Sequence, residues 1–295
     1  LLKEAPTMSD RPAARPEIFN AIEARDFAVT ARPKTLWQRL YDNGAFRKTL
    51  LLAGLALVWE IYARQLDNPL LFPTLTATVG ALVTALISGE IPRAGAYTLT
   101  LLLKGYLAGL VIAGFLTALA SASRLGADLL ETLTAMFNPL PSIALLPLAL
   151  IWFGLGDNSV IFVLIHAVLW AVALNTFSGF RSLSPTLKMV GRNYGLSSTG
   201  YILRILIPGA FPSILTGLKV GWAFAWRTLI AAELVFGVSS GSGGLGWYIF
   251  ENKNQLLIPE VFAGLLTVIL FGLFVENFVF RIIEDRTVRR WGMAT

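Results

Sequence analysis

Lys104, His166, Arg227 and Glu233 are ionisable residues set inside stretches that are otherwise apolar. The chemistry open to them is narrow. A catalytic centre needs paired carboxylates or a nucleophile beside a base, and one histidine among scattered acids offers neither, so no catalytic residue is assigned. With no cysteine and a single histidine, the chain excludes disulfides, thiolate sites and multi-histidine clusters, and no metal site is expected. Gly241, Gly243 and Gly246 spell G-x-G-x-x-G, but that fingerprint needs a preceding strand, and here it follows a helix-length apolar run, which favours a flexible loop. No G-x-x-x-x-G-K-S/T occurs, so no cofactor is expected in this chain, and any ATP-driven process needs a separate ATPase. What remains is the handling of charge. A charged group deep in a membrane segment costs at least about 2.5 kcal/mol on insertion scales, so these residues are expected to face protein or water.

The elements that carry them follow from composition. Of 295 residues, 55% are hydrophobic and only 14% charged, more apolar surface than one soluble core requires. The apolar residues cluster into runs of roughly 20, the length a helix needs to cross about 30 Å of hydrocarbon. The sequence therefore predicts an all-α integral membrane protein with six transmembrane helices, near residues 49–64, 97–120, 129–153, 160–177, 213–236 and 259–280. The first span is short, so Arg47, Lys48 and Arg64 are expected to snorkel at its ends. The third contains Pro139, Pro141 and Pro147, each expected to kink it. Residues 75–88 are apolar but too short to span, and form an expected outer interfacial helix.

Charge sets the orientation. The first 48 residues hold nine of the 24 Lys and Arg, the 181–204 loop carries Arg181, Lys188, Arg192 and Arg204 without an acid, and the C-terminal tail carries Arg281, Arg286, Arg289 and Arg290. Both termini are thus expected in the cytoplasm. The domain division is a cytoplasmic tail with an interfacial helix over 1–45, that helix at 35–42, and a transmembrane domain over 46–295. The N-terminal segment is too polar and too long to be a secretory signal peptide, and its opening Leu is expected to belong to added or processed sequence. The net charge of +6 does not point to nucleic acid, because the basic residues flank apolar runs rather than interleave with stacking aromatics. No internal repeat of the secondary-transporter kind is evident.

Residues 191–221 read GRNYGLSSTGYILRILIPGAFPSILTGLKVG, a basic stretch around Gly195 followed by an apolar run broken by Pro208 and Pro212. From charge alone this is equally an ordinary inner loop or a docking peg. Gly195 followed by Ile205, Ile207 and Pro208 in the frame G-x(9)-I-x-I-P resembles the coupling loop of ATP-binding-cassette (ABC) importer permeases. LPLALIWFGLGD (146–157), PGAFPSILTGLKVGWAFAW (208–226) and LIAAELVFG (229–237) are similar to the subfamily for nitrate, taurine and aliphatic sulfonates. The similarity covers about residues 90–285.

The resemblance implies a type I permease fold in the bacterial inner membrane, with a coupling loop at about 181–205. It also implies ATPase subunits that hold ATP and Mg, a periplasmic solute-binding protein, a second permease copy and surrounding lipid. Tyr194, Gly195, Leu196, Ser197 and Gly200 then become the ATPase-coupling residues, unless Gly195 is only a turn glycine. One departure stands out: the family's Glu-Ala-Ala triplet falls on Met189, Val190 and Gly191, so its acidic contact to the ATPase is absent. An ATP-independent secondary transporter or channel is the alternative function.

Counting from the outer ends, Lys104, His166 and Arg227 lie about 10 to 14 Å deep. Together with Glu233 they are candidate pathway residues for an anion, Arg227 first among them because a guanidinium holds a carboxylate, sulfonate or nitrate through two hydrogen bonds. Structural pairing competes with this reading: Lys104 with Glu60, Arg227 with Glu233 of a second copy, His166 as a neutral hydrogen-bonding residue, and Glu233 as a pin for the outer loop. Lys219, deeper in the same helix as Arg227, is either a later station or a snorkelling anchor.

Overall fold

A computed structural model describes residue 38 and residues 41–236 and 243–293. The N-terminal tail, most of the expected interfacial helix at 35–42, and Gly241 of the glycine run lie outside the described residues. Every regular element among the described residues is helical.

The chain divides into two units, residues 1–53 and 54–295. The boundary falls within helix α1 (Gly44–Leu66); in the first unit Asn43 precedes this helix and its Oδ1 accepts a hydrogen bond from the Ala45 N–H at 2.9 Å, satisfying one free donor of the first turn. The second unit carries α2 (Leu75–Ile87), α3 (Glu90–Ala122), α4 (Arg124–Phe137), α5 (Leu146–Phe153), α6 (Asp157–Ser182), α7 (Pro185–Asn193), α8 (Ser198–Tyr201), α9 (Ile207–Phe236), α10 (Leu245–Asn254), α11 (Ile258–Phe274) and α12 (Arg281–Glu284). Thr74 caps α2, its hydroxyl accepting from the Ala77 N–H at 3.2 Å, and with 13 residues α2 is too short to cross a bilayer.

Among the described residues, five helical segments are long and apolar enough to cross: α1, α3, α6, Ile202–Val235 and Ile258–Arg289. The expected third span is not one helix. Arg124–Phe137 and Ser142–Phe153 meet at 87°, so six crossings result only if this bent pair counts as one. The reason lies in the residues between them. Pro139 and Pro141 have no N–H to continue the ladder, Pro141 disfavours helical backbone at Leu140, and Pro141 itself is extended (φ −59°, ψ 120°). Pro147 does not kink anything, because it sits in the first turn of α5, where its missing donor has no partner to lose. The run expected to break at Pro208 and Pro212 is also different: a π-helical turn at Ile202–Leu206 leads into α9, which continues through Pro212 to Phe236.

The core lies around α6, with α3 and α9 packed along it. Small residues permit the approach: a Cβ on Gly105 of α3 would stand 2.5 Å from the Leu164 Cβ, and one on Gly217 of α9 would stand 2.9 Å from that of Asn175. Leu102, Leu164, Val168, Ala225 and Leu229 fill the interior, and Tyr106 donates to the Leu218 carbonyl at 2.9 Å. On the opposite side of α3, Leu107, Val111 and Phe115 are exposed at a four-residue spacing, an apolar stripe suited to lipid or another chain.

Candidate functional site

The loop predicted to couple is a helix–turn–helix built on one left-handed residue. Gly195 has φ +60°, and the Leu196 N–H reaches back to the Gly191 carbonyl at 3.3 Å, the six-to-one bond of a Schellman stop for α7. Ser197 then starts α8: its hydroxyl accepts from the Gly200 N–H at 3.2 Å and its carbonyl from the Tyr201 N–H at 2.8 Å. Gly191 is buried beneath the Tyr201 ring, where a Cβ would lie 2.5 Å from the ring carbons. The position where the resembling family ends its Glu-Ala-Ala triplet thus packs α7 against α8. Met189, Val190 and Tyr194 are exposed, the last at 80%, and form an apolar surface left uncovered by the described residues. Beside it a groove of 690 Å³ runs between the end of α3, α4, α6 and Tyr201, bordered by the Arg181–Glu131 ion pair.

Within the spans, Lys104 and Arg227 are exposed on α3 and α9, and neither has an ion-pair partner among the described residues. The pairing of Lys104 with Glu60 does not form. The Glu60 carboxylate takes hydrogen bonds from Arg64 at 2.8 Å and from the Thr76 N–H and hydroxyl at 3.1 Å each, all nearer in sequence. Lys219 is an ion-pair residue, with its Nζ 2.5 Å from a Glu284 oxygen. His166 is half-buried. Its Nδ1 lies 3.1 Å from the Ser142 hydroxyl, just past the proline break, and its Nε2 is buried with no partner among the described residues. The Phe137 and Trp170 rings pack at its sides, 6.5 and 6.1 Å away between centroids.

Glu233 is 3% exposed. Its carboxyl group accepts from the Thr98 hydroxyl at 2.9 and 3.1 Å and from the Gly246 N–H at 2.8 Å, while the Thr98 oxygen accepts from the Leu245 N–H at 2.8 Å. Two free donors of the first turn of α10 are satisfied in this way, and an acid at a helix N-terminus is favoured by the helix dipole. The glycines allow it. A Cβ on Gly244 would stand 2.0 Å from a Glu233 oxygen, and one on Gly246 would stand 2.6 Å from the Glu233 Cβ. The described part of the G-x-G-x-x-G run therefore closes on a carboxyl group of its own chain.

Among the described residues no hydrogen bond or ion pair joins Lys104, His166, Arg227 and Glu233 to one another: each described hydrogen bond of the set goes to a residue outside it. Thr98, Ser142, Trp170 and Glu284 are partners that sequence reasoning missed, and a threonine or serine in an apolar run carries no signal that would have singled it out.

Comparison with known proteins agrees with the all-helical membrane architecture. Residues 105–291 match the family described as binding-protein-dependent transport system inner membrane component. A protein of Methanocaldococcus jannaschii inferred to be an ABC transporter permease is 31% identical over 250 residues, 81% of this chain and 90% of the relative. An Escherichia coli protein inferred to be an aliphatic sulfonates transport permease is 31% identical over 225 residues, covering 76% and 82%. The nitrate import permease protein of Synechocystis is 28% identical over 255 residues, covering 84% and 91%. ATP hydrolysis resides on a separate subunit in this family, and a solute-binding protein is its other partner. The chain belongs to the binding-protein-dependent inner-membrane components, and is a multi-pass permease subunit of an ABC importer.

Proposed function

We propose that two copies of this chain form the pathway of a bacterial inner-membrane importer for a small anion, flanked by two ATPase subunits that hold ATP and Mg, and fed by a periplasmic binding protein. The observation that carries the anion reading is Arg227: an exposed guanidinium on an apolar helix, without an ion-pair partner among the described residues. An arginine in that position faces lipid only at a cost of at least about 2.5 kcal/mol, so it belongs against water or a second copy. Lys104 on α3 has the same character. Two copies double the cations around a shared axis, and planar oxyanions suit a guanidinium fork. The names of two relatives point the same way, since nitrate and aliphatic sulfonates are both anions.

Arg227→Gln and Lys104→Met are expected to lower uptake of the natural solute by about tenfold or more, in assembled complexes that still hydrolyse ATP. Normal uptake by both, or a cationic solute held by the partner binding protein, ends the anion reading and leaves the permease assignment intact. The copy number is tested by mass measurement of the detergent-solubilised complex. Two permease chains with two ATPase chains are expected, and a transport-competent complex with one permease chain overturns the homodimer.

A further inference from the structure

At the end of α3 remote from the coupling loop, a cleft of 1030 Å³ opens between α2, the start of α3, α10 and the start of α11. Glu90, Glu251 and Glu260 line it, against a single lining cation among the described residues, Arg93. Arg93 is turned back on its own helix, its Nε donating to the Gly89 carbonyl at 3.0 Å, and none of the three carboxylates has an ion-pair partner among the described residues. Two polar atoms there are buried and unsatisfied: the Glu260 Oε2 and the Tyr248 phenol oxygen. Tyr248 lines the cleft and is 8% exposed. Burial, with the nearby carboxylates of Glu90 and Glu260, pushes its phenol up to about 12, so it stays a neutral hydroxyl at physiological pH.

A buried, unanswered hydroxyl beside unpaired carboxylates calls for a ligand rich in N–H donors. A metal ion does not suit it, because no three acidic or histidine side chains converge closely enough among the described residues. The cleft is open to the surface, and Ala77, Gly80, Ala81 and Ala94 leave room on the α2 and α3 walls for a protruding side chain. A free cationic solute fits poorly with a pathway whose unpaired residues are themselves cations.

We propose that this cleft is the socket in which the solute-binding protein seats a lysine or arginine side chain, with Glu90, Glu251 and Glu260 as its charge partners and Tyr248 accepting a hydrogen bond. This rests on the binding-protein-dependent transport reading. Docking through such a pair is steered by charge, so it weakens with salt.

The test uses the full permease–ATPase complex in nanodiscs with its purified, solute-loaded binding protein, and measures the binding-protein concentration that half-saturates stimulated ATP hydrolysis. Combined Glu90→Gln, Glu251→Gln and Glu260→Gln is expected to raise that concentration about tenfold or more, and to flatten its dependence on salt between about 0.05 and about 0.3 M. Tyr248→Phe gives a smaller rise in the same direction. If the triple variant does not assemble, Glu251→Lys is read instead: its side chain is exposed, and its weakened docking is rescued by reversing one basic residue on the binding protein. An unchanged half-saturating concentration with unchanged salt dependence overturns the socket. Stimulation of ATP hydrolysis by free arginine, without the binding protein, assigns the cleft to a small organic cation and overturns it as well. If the unmodified complex itself is not stimulated by the binding protein, the transport reading fails rather than the socket alone.

Discussion

Glu233→Ala is expected to destabilise the folded permease by about 2 to 5 kcal/mol, the range for removing one partner of a buried hydrogen-bonded network. The loss is large because several groups depend on one carboxyl. The Gly246 N–H loses its acceptor, the Thr98 hydroxyl loses its own, and Thr98 is then free to turn away from the Leu245 N–H. A buried donor left unpaired costs the full desolvation of that group. No water reaches the space easily, since Gly244 and Gly246 press directly on the carboxyl. Glu233→Gln keeps the shape and one acceptor oxygen, so it costs less, about 1 to 2 kcal/mol. Thermal unfolding of the purified protein in detergent gives the stability, and solute uptake into proteoliposomes gives the function. Lower stability with retained uptake in Glu233→Gln matches a residue that pins α10. Lost uptake in a complex of unchanged stability would show that the carboxyl serves the pathway instead.

The second large effect is expected at the coupling loop. Gly195→Glu should reduce solute-dependent ATP hydrolysis by at least about tenfold, the scale of a hot-spot contact at a protein interface. Two costs combine. A side chain at φ +60° carries a backbone penalty of about 1 to 2 kcal/mol, and the new carboxylate projects from the surface that Met189, Val190 and Tyr194 leave uncovered. Space is no obstacle among the described residues, because a Cβ at Gly195 meets none of their atoms within 4 Å. Gly195→Asn separates the two costs, since asparagine tolerates left-handed backbone. Coupling retained in the Asn variant and lost in the Glu variant places the effect at the docking surface. Unchanged ATPase association and hydrolysis in the Glu variant would reduce Gly195 to a turn residue.

Much of this was legible from the order of residues. Runs of apolar residues of bilayer length identify the helices α3, α6, α9 and α11, because a chain in lipid must satisfy its backbone internally. Gly195 was legible as the centre of its loop, while its φ of +60°, the left-handed stop of α7, came from the structure. The family was legible because several motifs occur in order, which hydropathy alone does not supply.

Pairings across long stretches of chain were not legible. Thr98 and Glu233 stand 135 residues apart, and Lys219 and Glu284 stand 65 apart, so no local pattern joins them. Lys104 and Glu60 looked like natural partners by sign, yet Arg64 and Thr76 are nearer in sequence and take the carboxylate first. The three prolines of the third span announced a disruption but not its size. Whether a helix resumes collinear or turns by 87° depends on what holds the second half, and here the Ser159 hydroxyl of α6 donates to the Ala149 carbonyl of α5 at 3.1 Å and to the Gly154 carbonyl at 2.6 Å.

By itself the sequence determined the class, the apolar segments and the charge bias of the loops, since each depends on residues within a few positions of one another. Only the tertiary structure decided which acid meets which donor, where the third span breaks away, and which cations stay unpaired. Those outcomes are set by distances between helices that meet only after packing.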